Sequence, residues 1–179
     1  MKIKKEDYRI VDILVSPDKD IAIFPLSIAT YPLKMADGTP MYDATVESFP
    51  PIEIKFPYTV DDVAKGIELG IDLFDKQKCF EGLKDEKISV EEVYYKAKSF
   101  RKATKGCRRI EAGWSIIRGG KFVSIELPGK FRYDYYAVDA ILLPEDADWI
   151  DFAAEVIRYI NADVESFKLY DSYKKKLNI

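Results

Sequence analysis

Carboxylates crowd one short stretch of this chain, where Glu145, Asp146, Asp148, Asp151 and Glu155 follow one another closely. Such a group could attract a cationic partner, hold a divalent metal or supply an acid/base pair. Metal binding and acid/base work need two carboxylates fixed opposite each other, and this spacing fixes none. Acidic residues at a helix start also complement its dipole, and the rest of such a run forms a solvated face. The stretch therefore reads as a helix cap with a wet outer face, or as an acidic surface for a basic partner.

Two further groups could carry contacts. Tyr133, Tyr135 and Tyr136 flank Asp134, and tyrosines give large, rigid contact area with a polar tip. They are equally ordinary strand residues. Residues 25–51 hold Pro25, Pro32, Pro40, Pro50 and Pro51 together with Tyr31, Met35, Asp37 and Met41. This segment reads as a long surface loop, a frequent place for contacts, with a short hairpin tip at Asp37-Gly38.

Cys107 stands in Lys105-Gly106-Cys107-Arg108-Arg109, and neighbouring cations can activate a thiol. The chain has no histidine to serve as its base. A cysteine in a strand is more often a small buried hydrophobe. The missing histidine also excludes Ser-His and Cys-His catalysis and most zinc sites. No Walker loop, GxGxxG or GxSxG occurs. No cofactor, no metal and no catalytic residue is expected, although carboxylate-only catalysis stays open.

With 179 residues, 47% hydrophobic and 33% charged, the chain suits one domain. The net charge of −3 lacks the basic footprint of a nucleic-acid binder. Lys98, Arg101, Lys102, Lys105, Arg108, Arg109 and Arg118 make the middle locally basic, which reads as a solvated helix face. No apolar run is long enough to cross a membrane, and no signal-peptide pattern opens the sequence. Cys79 and Cys107 do not make a disulfide framework, so a reducing, cytosolic setting is expected.

The elements that would position these residues follow a repeated pattern. Tyr8–Val15 and Ile21–Phe24 read as a hairpin across the turn formers 16–20, with Pro25 ending the second strand. Pro51–Phe56 is a strand, and Thr59 caps a helix over 60–76 with Val60, Val63, Ala64, Ile67, Ile71 and Phe74 inward. Ser89 and Glu92 make a capping box for a helix over 90–105. Then 107–117, the turn at Arg118-Gly119-Gly120, 122–127 and 133–143 are strands, and a helix runs over 146–161. Each half reads as strands closed by prolines and followed by an acid-capped helix. The expectation is an α+β fold of duplicated βββα-like halves (8–76 and 107–161), with a mostly antiparallel sheet and helices packed on it. A last helix could follow within 162–179.

The second half resembles the contact-dependent growth inhibition immunity proteins. The likeness rests on Ser99-Phe100-Arg101-Lys102, on Lys105-Gly106-Cys107-Arg108-Arg109-Ile110, on the Gly-Gly hairpin, and on Ile141-Leu142-Leu143-Pro144 before an acidic helix start. It covers residues 90–161, with an echo in 8–76. It implies a small bacterial cytosolic protein that binds and neutralises a cognate toxin domain, often a nuclease, with no catalytic residues of its own. The expected partner is thus a toxin protein, not nucleic acid or membrane. The contact candidates are Asp146, Asp148, Asp151, Glu155, Tyr133, Tyr135, Tyr136, Tyr31 and Asp37. A non-catalytic adaptor and a carboxylate-dependent enzyme are the competing classes.

Overall fold

The strand-forming runs find their partners across the middle of the chain. A computed structural model describes residues 8–34, 40–41, 44–82, 88–128 and 135–163. Its strands are β1 (Tyr8–Val15), β2 (Ile21–Ile28), β3 (Leu33–Lys34), β4 (Pro40–Met41), β5 (Thr45–Glu47), β6 (Ile52–Ile54), β7 (Arg108–Ser115), β8 (Gly120–Pro128) and β9 (Tyr135–Leu142). Its helices are α1 (Val60–Asp72), α2 (Val90–Tyr94), α3 (Phe100–Ala103) and α4 (Trp149–Asn161). The fold is α+β: an antiparallel sheet in the order β5-β2-β1-β7-β8-β9, with β6 also on β2, and helices packed on it.

The order of pairing displays the repeat. β1, β2, β6 and α1 form one half; β7, β8, β9 and α4 form the other. The halves meet at their first strands, β1 and β7, which pair antiparallel from Tyr8↔Ser115 to Val15↔Arg108. α1 and α4 pack on each other and on the same sheet face. The alternation of a strand sends Val11, Ile13, Val15, Ile21, Ile23, Ile110, Ala112, Val123 and Ile125 to that face. There they meet Val63, Ile67 and Ile71 of α1 and Phe152, Val156, Tyr159 and Ile160 of α4. Burying a large apolar side chain of this kind contributes about 1.5–3 kcal/mol.

Several expectations are corrected. β2 does not stop at Pro25 but runs through it to Ile28. Pro25 sits between the stretch paired with β6 (Ile21–Ile23) and the stretch paired with β5 (Leu26–Ile28). Its carbonyl accepts from Ser48 N at 2.7 Å, so its missing N–H would have pointed into that same gap, where no ladder donor is lost. Secondly, residues 25–51 are not a long loop. They hold the end of β2, the paired β3 and β4, β5, and a bridge from Ser48 to Cys79. The expected tip at Asp37 lies outside the described residues. Thirdly, the helix expected over 90–105 is two short ones, α2 and α3. Lys96 breaks it with a positive φ of 51° after Tyr95 closes α2. α1 likewise ends at Asp72. The tail expected as a last helix is described only to Asp163.

No helix among the described residues is long and apolar enough to cross a membrane.

Candidate functional site

The acidic stretch is first of all a helix start. Asp148 is the N-cap of α4: its Oδ1 accepts from Ile150 N at 2.8 Å and Asp151 N at 3.1 Å. Asp151 returns the bond, accepting from Asp148 N at 2.9 Å and closing a capping box. Glu155 accepts from Arg158 Nε. These three therefore serve α4 itself, while Glu145 and Asp146 stand exposed in the turn before it. Asp148→Ala is expected to cost about 1 kcal/mol in thermal or urea unfolding, the usual loss on removing such a cap.

The tyrosines separate. Tyr31 is turned inward rather than offered to a partner: it is buried, and its hydroxyl donates to Phe80 O at 2.6 Å. Tyr135 is turned inward too, its hydroxyl donating to Glu91 and its ring edge-on to Phe100. Burial, then the charge of Glu91, push its phenol well above the ordinary tyrosine range. Tyr136 is half-buried. Tyr133 lies outside the described residues. Cys107 is buried, its thiol donating to Ala103 O at 3.5 Å, and burial pushes it upward, away from the reactive range. Arg108 donates to Tyr159 O at 2.6 Å and Ala162 O at 2.7 Å, tying β7 to the C-terminal end of α4.

Sequence reasoning missed a cluster on the other sheet face. Arg109 on β7 donates to Asp12 on β1. Its guanidinium also lies 3.7 Å from Glu47 on β5 and 3.7 Å from Glu126 on β8. Tyr135 on β9 lies beneath it, 4.6 Å from ring centroid to guanidinium carbon. α2 covers the group and brings Glu91, which is 4% exposed. Glu111, opposite Asp12 in the ladder, takes Arg118 instead. One oxygen of Asp12 and Nε of Arg109 have no hydrogen-bond partner among the described residues. The signal was present in the sequence: Asp12 is the one acidic residue of β1, set among apolar ones, and Arg109, Glu111, Ser124 and Glu126 alternate with apolar residues. That alternation ordinarily marks a wet face. Here α2, α3 and the segment around Phe74 cover it.

Burial pushes the carboxyls of Asp12, Glu47 and Glu126 upward, and Arg109 pulls each back down. Burial also works against the charge on Arg109, but its carboxylate neighbours hold it on. One guanidinium cannot neutralise three carboxylates, so the cluster takes up protons as pH falls. Raised folded pKa values mean stability that is fully present below the unfolded carboxylate range of about 4 and lost as pH rises through the folded values. The unfolding free energy is therefore expected to decline above that range, and Asp12→Asn to flatten the decline in pH-dependent urea titrations.

At the far end of the helix face, a groove of about 510 Å³ is lined by Trp114, Ile116, Gly119, Gly120, Lys121, Leu142, Leu143 and Glu145. Ile116 is 57% exposed and Leu142 61%. No group of histidine, cysteine, aspartate or glutamate among the described residues is arranged to hold a metal ion.

No family profile matches the sequence, and no curated protein matches it. Among solved structures, the chain is similar to the protein of unknown function NMB0488 from Neisseria meningitidis. The TM-score is 0.50 at 12% identity, over 86% of this chain and 94% of that one. That likeness concerns the fold alone.

Proposed function

We infer that this chain is a non-catalytic binding protein, and specifically an immunity protein that occludes a cognate toxin domain in the cytosol. The observation that carries the reading is where its polar and apolar groups lie. The convergent carboxylates are sealed beneath α2 around Arg109, out of a substrate's reach. What the surface offers is an apolar groove with exposed carboxylates beside it. Contact surfaces commonly pair apolar anchors with a charged rim. The sequence resemblance to contact-dependent growth inhibition immunity proteins supplies the identity of the partner class. A mildly acidic surface suits the cationic groove of a nuclease toxin.

The test is co-expression with the protein encoded immediately upstream, followed by affinity purification and a growth assay. A stable complex and rescued growth are expected. Absence of both, with the two proteins soluble, sinks the reading.

A further inference from the structure

We propose that the groove between the β7–β8 turn and the start of α4 is the docking site for a cationic segment of the partner that carries an apolar anchor residue. The inference rests on the binding-protein reading above and names the surface and the chemistry it takes.

The groove exists because β7 and β8 run past the helix that covers them. Trp114 falls on the same alternation as Ile110 and Ala112, the core residues beneath α1 and α4. Those two are buried, whereas Trp114 is 37% exposed. Ile116, in the turn, continues the apolar wall, and Leu143, whose N–H donates to Lys121 O, closes it after β9. The volume of about 510 Å³ is within the range of small-ligand pockets. Exposed aliphatic and indole surface gathered around one concavity is unusual on a protein with no partner.

Of the charged groups at this place, the carboxylates are the ones turned outward. Lys121 lines the groove but spends its ammonium on Ala147 O at 2.6 Å, the turn that leads into α4. Arg118 is held by Glu111 on the opposite face. Glu145 lines the groove, Asp146 follows it, and both are exposed. Neither forms an ion pair with another described residue. Lys121 keeps its charge but turns it toward the start of α4, Arg118 is paired on the far face, and the two carboxylates at the rim face outward. An occupant that buries an aliphatic or aromatic side chain against Trp114 and Ile116 meets these carboxylates at its flanks, so lysine or arginine there completes the fit. An acidic occupant is repelled.

Trp114 is a reporter built into the site. In a Trp149→Phe background its emission is the chain's own signal, because the sequence has two tryptophans. The probes are a short synthetic peptide with leucines flanked by lysines and arginines, and its counterpart with glutamate at every basic position. The basic peptide should shift Trp114 emission saturably, and binding should weaken with added salt. The joint change Glu145→Lys and Asp146→Lys should weaken it roughly tenfold, and Ile116→Ser should abolish it. These residues are exposed, and unchanged thermal unfolding of each variant confirms that the fold is kept. The same variants should weaken the complex with the upstream-encoded protein. Equal binding of both peptides, no saturable binding, or binding insensitive to all three substitutions overturns the groove. If the upstream protein forms its complex unaffected by these variants, the groove assignment falls while the immunity reading stands. If no such complex forms but the basic peptide binds as described, the groove stands and the immunity reading falls.

Discussion

Arg109→Met is expected to lower the unfolding free energy by about 3–5 kcal/mol, the usual cost of removing one partner from a buried ion pair. The reason lies in what remains. Asp12 is 3% exposed, and its hydrogen-bonded oxygen loses its donor; Glu47 and Glu126 lose the cation that holds them down. Tyr135 loses the guanidinium above its ring. Without the guanidinium the three carboxyls must fold protonated. The folded pKa values then rise further, so the variant's deficit should grow from pH 5 to pH 8. Adding Asp12→Leu should restore part of the loss, because an apolar pair of similar volume often replaces a buried ion pair without penalty. It cannot restore all of it, since Glu47 and Glu126 remain. Urea titrations of the single and double variants at both pH values test this. A deficit that is small and independent of pH would mean that the cluster is open to water.

Gly113→Ala is the second large effect, expected to cost about 3 kcal/mol or more through backbone strain and overpacking together. Gly113 lies opposite Ile10 in the β1–β7 ladder with φ 154°, a region nearly reserved for glycine. A Cβ there would lie 2.1 Å from Arg9 O and 2.8 Å from Ile10 Cα. Both are backbone atoms, so no rotamer change relieves the clash and the central ladder must part. The expected signs are a lower melting temperature and faster hydrogen exchange at Ile10 and Ala112 relative to β8. Normal exchange at both positions would show that the seam absorbs the methyl group.

Much of the fold was legible because each signal was local. Thr59 and Ser89 cap helices where expected, while α4, expected from 146, starts at Trp149 on an Asp148 cap. The apolar stripes of α1 and α4 face the sheet, although Val60, assigned to the stripe, stays 37% exposed. What escaped depended on partners distant in sequence. Pro25 reads as a strand end because proline lacks a donor, and only the gap between β5 and β6 makes it harmless. Lys96 reads as a helix residue, and nothing local announces its positive φ just after Tyr95 closes α2. The Arg109 cluster escaped for the same reason. Arg109 and Glu111 alternate as solvent-facing residues do, and no local pattern announces that a helix will cover them. The acidic stretch was legible in its cap reading: Asp148 and Asp151 close the capping box of α4.

The β1–β7 seam also sets an order of events in folding. The β1–β2 and β7–β8 hairpins close over short turns, whereas the seam joins residues about a hundred positions apart and bears the larger loop-closure entropy. Each half should thus take shape before the two meet. Until they do, Ile13 and Ile110, neighbours in the finished ladder, have no cover from each other. Two half-built sheets with matching bare edges are adhesive to other chains as well as to each other. Refolding yield should fall as protein concentration rises, and a yield independent of concentration would argue that the seam closes early.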